Sequence, residues 1–104
     1  MEEVRLVRVR YDAGARRDIG NIYDYIAERN THAASKVVQR IRAAIDLLSE
    51  FPQIGHMGRA PDTREWVVKG LPYVIVHELR PAEDEIAILA VFHGAQDRDQ
   101  GRNR

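Results

Sequence analysis

Four histidines, His32, His56, His77 and His93, are the residues of this chain best suited to moving a proton near neutral pH. They are far apart in sequence. None stands four residues from another, and no carboxylate joins them at metal-ligand spacing, so no metal site is expected. The chain has no cysteine, which removes disulfides, thiolate metal sites and a thiol nucleophile together. It has no glycine-rich phosphate loop and no serine-nucleophile motif, and no cofactor is expected. Histidine and arginine are the groups to weigh for acid–base and phosphate chemistry. Arginine binds phosphate through a rigid fork of donors, and histidine can act as acid or base.

The elements that would carry these groups follow from apolar spacing. Val4 to Tyr11 reads as a strand, with Val7, Val9 and Tyr11 on one face and Arg8 and Arg10 on the other. A charged face suits an edge strand, because it discourages stray pairing. Asp12 is a suitable N-cap for a helix from about Ala13 to Arg29. Its core stripe is Ala15, Ile19, Ile22 and Ile26, flanked by Tyr23 and Tyr25. Gly20 sits mid-helix, where close packing against the next helix would explain it. Asn30-Thr31 is a turn, with Thr31 as N-cap of a second helix. Ala34, Val37, Val38, Ile41, Ala44, Ile45 and Leu48 give that helix one buried side, and Pro52 stops it. The short connection makes a helical hairpin.

Phe51 to Asp62 holds Pro52, Gly55, Gly58 and Pro61 and reads as a loop. Three strands follow, Arg64 to Lys69, Tyr73 to Leu79 and Glu85 to His93, and their short turns favour an antiparallel meander. In the last strand Ile86, Ile88, Ala90 and Phe92 alternate with Ala87, Leu89 and Val91. Both faces are apolar, so the strand is either buried on both sides or covered on one side by a partner. The predicted class is α+β, in the order β-α-α-β-β-β, with a helical hairpin on a small antiparallel sheet. Residues 1–95 form one domain, and the wholly polar stretch 96–104 is expected to be a flexible tail.

Composition narrows the function. With 16 basic and 16 acidic side chains the formal net charge is zero, whereas a free nucleic-acid binder usually carries a basic excess. Direct sequence-specific DNA binding is therefore not expected. The arginines near the two ends (Arg5, Arg8, Arg10, Arg16, Arg17, Arg98, Arg102 and Arg104) can still segregate into a patch. No apolar run approaches membrane-spanning length. The first residues, Met1-Glu2-Glu3-Val4-Arg5, lack the apolar core of a signal peptide. A cytoplasmic protein is expected.

Six stretches carry a resemblance. They are Asp18-Ile19 with Ile22-Tyr23-Asp24-Tyr25-Ile26, Ala33-Ala34, Phe51-Pro52-Gln53-Ile54-Gly55, Thr63-Arg64-Glu65, Leu71-Pro72-Tyr73-Val74-Ile75-Val76 and Ile86 through His93. In order and spacing the chain resembles the ParE branch of the ParE/RelE toxin superfamily over roughly residues 5 to 97. The resemblance implies the toxin of a type II toxin–antitoxin pair, bound by a ParD-like antitoxin in a hetero-oligomeric complex. ParE-type members act on DNA gyrase, whereas RelE-type members cut mRNA in the ribosomal A site. A third reading is a relative that has lost toxicity and only binds antitoxin.

On the ribonuclease reading, Arg64 would clamp a phosphate and His93 would act as acid or base. The plainer roles are an ion pair of Arg64 with Glu65 or Glu78 and a hydrogen-bonded histidine at a strand end. His56 and Arg59 read as solvated loop residues, His77 as a satisfied core or interface histidine, and His32 as exposed. The basic and aromatic groups that RelE-like enzymes carry beyond the last strand are replaced by Gly94 and Ala95, which favours the ParE reading. The antitoxin is expected to lay a helix across a groove and to contact Tyr23, Tyr25, Trp66 and Phe92, since aromatics are enriched at interfaces.

Overall fold

The computed structural model describes residues 6–95. The expected tail, with Arg98, Arg102 and Arg104, and the start of the first predicted strand, with Arg5, lie outside the described residues. The elements are β1 (Arg8–Tyr11), α1 (Ala13–Ala27), α2 (Thr31–Leu47), β2 (His56–Met57), β3 (Thr63–Val67), β4 (Tyr73–Arg80) and β5 (Glu85–His93), with a short 3₁₀ turn at Pro81–Glu83 before β5. The fold class is the one the sequence predicts, two helices on a small sheet.

Asp12 stands at the N-cap of α1, although its side chain makes no capping hydrogen bond. The N-cap of α2 is Asn30 rather than Thr31. The Asn30 side chain accepts the Ala33 N–H at 2.9 Å, filling one of the donor vacancies of a helix start. Thr31 is the first helical residue. The α2 stripe is core as read. Ala34, Ile41, Ile45 and Leu48 are buried, and Val37, Val38 and Ala44 pack against them. Each fully buried isoleucine contributes about 1.5–3 kcal/mol of transfer free energy. Gly20 does not meet the other helix. A Cβ there would have no neighbour within 4 Å.

The sheet has five strands in the order β1-β5-β4-β3-β2. β3, β4 and β5 form the antiparallel meander. The sheet is mixed, because β1 lies at the edge and pairs in parallel with β5, Arg8 opposite Glu85 through Tyr11 opposite Ile88. Short turns dictate only how consecutive strands pair, and β1 is separated from the meander by both helices. The extra strand β2 is two residues of the predicted loop that pair with β3. Gly55, at φ 98°, leads into it. A Cβ at Gly55 would sit 2.6 Å from the Glu65 carbonyl oxygen, so position and conformation both require glycine.

A β-bulge changes which side chains of β5 face the helices. Val76 pairs with Ala90 but His77 pairs with Ile88, leaving Leu89 unmatched. The extra residue reverses the alternation. Ile86 and Ile88 before it and Val91 after it therefore join one core with Ile75, and all four are at most 2% exposed. The strict alternation expected from the sequence fails at this point.

Candidate functional site

An open groove of about 760 Å³ lies where α1, α2 and the ends of β4 and β5 meet. Asp18, Asn21, Ile22, Tyr25 and Ile26 line it from α1. These residues lie three or four positions apart and so share one helix face. Val37 comes from α2, Leu71 and Pro72 from the turn before β4, Tyr73 from its first position, and Val91, Phe92 and His93 from β5. The walls are mostly apolar. Tyr25 stands at the rim with 77% of its surface exposed.

Backbone geometry holds the groove in shape. β1 pairs with β5 only as far as Ile88. Beyond it, the Val91 N–H donates to Asp18 Oδ2 at 2.9 Å. The Asp18 carboxylate thus takes the place of a strand carbonyl and fastens α1 to the uncovered part of β5. At the far end, Gly94 N–H donates to the Pro72 carbonyl at 2.8 Å and keeps the end of β5 beside β4. The rings of Tyr73 and His93 meet edge to face, with centroids 5.7 Å apart. Burial raises the Tyr73 phenol above its ordinary pKa, so it stays protonated at neutral pH.

Three of the six residues singled out from the sequence meet in this groove: Tyr25, Phe92 and His93. Tyr23 lies on another face of α1. Trp66 packs against the core from β3. Arg64 donates to the Gly55 carbonyl at 3.3 Å. It pairs with neither Glu65, which as its strand neighbour points to the opposite face, nor Glu78, which stands opposite Thr63. Arg64 is level with Ile88 of β5 across β4, whereas His93 ends that strand. Strand rise and spacing put the two roughly 15 Å apart. Among the described residues no hydrogen bond or ring contact joins them, since Arg64 is held at Gly55 and His93 lies against Tyr73.

The remaining groups are engaged elsewhere. Glu65, nearly buried, receives Arg59 at 3.5 Å and His56 at 4.0 Å. The Arg59 guanidinium also lies over the Phe92 ring, 5.3 Å from its centroid. Arg59 is therefore anchored rather than merely solvated. Glu85 gathers Arg8, Arg10 and Arg80 at 3.7–3.9 Å, so the arginine-rich β1 is matched by a carboxylate. His32 is exposed, as expected. His77 is fully buried, but neither ring nitrogen has a hydrogen-bond partner. The Pro52 and Ile54 carbonyls favour its protonated form. Burial first and the Arg64 charge second outweigh them and lower its pKa. His93 Nδ1 is likewise buried without a partner. Among the described residues no group of histidines and carboxylates could hold a metal, and no helix is long and apolar enough to cross a membrane.

Sequence reasoning missed most of the groove. Ile22 and Ile26 read as core, and Asp18 showed only as part of a resemblance. A usable signal was present, because apolar and aromatic side chains at 22, 23, 25 and 26 exceed what one core stripe needs.

Comparison with known proteins agrees with this architecture. Residues 9–98 match the sequence profile of the family described as ParE toxin of type II toxin–antitoxin system, parDE. Y4kP of Sinorhizobium fredii is 37% identical over 93 residues, covering 89% of this chain and 94% of that protein. Toxin RelE2 of Caulobacter vibrioides is 34% identical over 79 residues, covering 76% and 85%. In fold, the chain is similar to the chromosomal ParDE system from P. aeruginosa, with a TM-score of 0.76 at 22% identity, covering 86% of this chain and 97% of that one. The isolated E. coli RelE toxin gives a TM-score of 0.65 at 12% identity, covering 94% and 99%.

Proposed function

Because this chain belongs to the ParE toxin family of type II toxin–antitoxin systems, we propose that its groove is the seat of a neutralising antitoxin segment and that its target is DNA gyrase. The observation that carries the antitoxin reading is the groove itself, an apolar trough with a largely exposed tyrosine at its rim. An amphipathic segment, disordered when alone, would bury its apolar side there and become ordered on binding. Tyr25 and Tyr73 supply aromatic surface of the kind that anchors interfaces.

The choice of gyrase over RNA rests on the dispersal of the acid–base groups. Cleavage by 2′-hydroxyl attack needs a base, an acid and positive charge around one phosphate. Arg64, held at the Gly55 carbonyl, and His93, against the Tyr73 ring, sit roughly 15 Å apart on the sheet and are not gathered around one point. Arg59 faces Glu65, which offsets its charge, and His56 lies 4.0 Å from the same carboxylate. Such a toxin would act by binding its target rather than by its own catalysis.

The test is a gyrase supercoiling assay with purified toxin, run beside a transcript-integrity assay in induced cells. Inhibition of supercoiling, reversed by antitoxin and with transcripts intact, is the expected result. Transcripts cut at ribosome-occupied codons, with gyrase unaffected, would replace this reading with the RelE-like one. Harmless expression of folded toxin would favour a non-toxic antitoxin-binding relative.

A further inference from the structure

We infer that Asp18 makes the groove selective for an antitoxin segment that carries a lysine or arginine among its apolar residues; this rests on the antitoxin reading above. Of the twelve residues lining the groove, Asp18 is the one with a fixed charge. Its Oδ2 is held by the Val91 N–H at 2.9 Å, which fixes the carboxylate beside Ile22 and Val91. Among the described residues no cation lies within ion-pair distance of it, although cations surround Glu65 and Glu85.

An apolar segment laid over the groove would strip water from this carboxylate. A buried charge without a partner is strongly disfavoured, whereas one met by a cation with good hydrogen bonds is tolerated. The carboxylate therefore discriminates against any segment that is only apolar. The chain's own stretch 96–104 supplies arginines but has no apolar side chain to cover Ile22, Ile26 and Leu71. A separate polypeptide with both properties fits the site better.

The test uses the full-length toxin and the antitoxin encoded beside it, with affinity measured by calorimetry at low and high salt. Asp18→Asn keeps an acceptor for Val91 and removes the charge. It should weaken binding about tenfold or more at low salt and flatten the salt dependence, with an unchanged melting temperature. Changing one particular basic residue of the antitoxin to glutamine should weaken binding equally, and the two changes together should not add. If Asp18→Asn does not fold, the antitoxin variants against wild-type toxin carry the test alone. Wild-type affinity in Asp18→Asn, or additive losses with every basic residue, would overturn the inference while leaving the antitoxin reading intact. No binding by wild-type toxin would refute the antitoxin reading itself. A toxin truncated after Ala95 that binds antitoxin more tightly, and no longer responds to Asp18→Asn, would assign the groove to the chain's own tail and also overturn the inference.

Discussion

Replacing His77 with leucine should stabilise the fold and remove part of its sensitivity to acid. His77 is fully buried, and both ring nitrogens lack partners. Leaving a buried polar group unsatisfied costs about 1–3 kcal/mol. Leucine is close in volume and has no polar atom, so a gain of about 1–3 kcal/mol is expected above neutral pH, each kcal/mol raising the melting temperature by about 4–8 °C. The pH response follows from the lowered pKa of the buried ring. Below the ordinary histidine value of 6.5, the unfolded chain takes up a proton that the folded chain refuses. Stability therefore falls as pH drops from 6.5 towards the folded-state pKa, by up to about 1.4 kcal/mol per pH unit. Below the folded-state pKa this contribution levels off, and above 6.5 it is absent. Urea titrations of wild type and His77→Leu across this window, read by tryptophan fluorescence from Trp66, measure both effects. A leucine variant no more stable than wild type, with the same slope against pH, would refute the reasoning.

Two further substitutions test local readings. Gly20 is exposed on α1 and a Cβ there meets nothing, so Gly20→Ala should stabilise by about 0.8–1.0 kcal/mol, measured by thermal denaturation. A loss of stability would mean that the glycine serves a contact not seen here. Asn30→Ala removes the side-chain cap of α2 and should cost about 1 kcal/mol, whereas Asn30→Asp should be nearly neutral; equal losses in both variants by urea denaturation would count against the cap.

Local signals in the sequence were enough for the elements and not for how they meet. β5 was legible from Glu85 to His93 because dense apolar residues end in acidic and glycine punctuation. Its bulge was not, because Ile86 to Phe92 is apolar in either register and a one-residue slip sacrifices no apolar pattern. Asn30 and Thr31 both suit an N-cap by residue type, and only the geometry separates them. The parallel pairing of β1 with β5 is a long-range choice that no turn announces. The same holds for the candidate site. Tyr25, Phe92 and His93 were legible by type, whereas Tyr23, equal to Tyr25 in composition, was removed from the groove by helix phase alone. Asp18 reaches Val91 across 73 residues, a contact that exists only once α1 lies on β5.

The most direct test of the groove as the antitoxin seat is the affinity of Tyr25→Asp toxin for the antitoxin. Tyr25 is 77% exposed, so the substitution should leave the melting temperature unchanged. Placing a charge at the rim of the apolar trough should weaken binding by at least about tenfold and release the toxin from neutralisation in a growth assay. Unchanged affinity and full neutralisation would place the antitoxin elsewhere on the molecule.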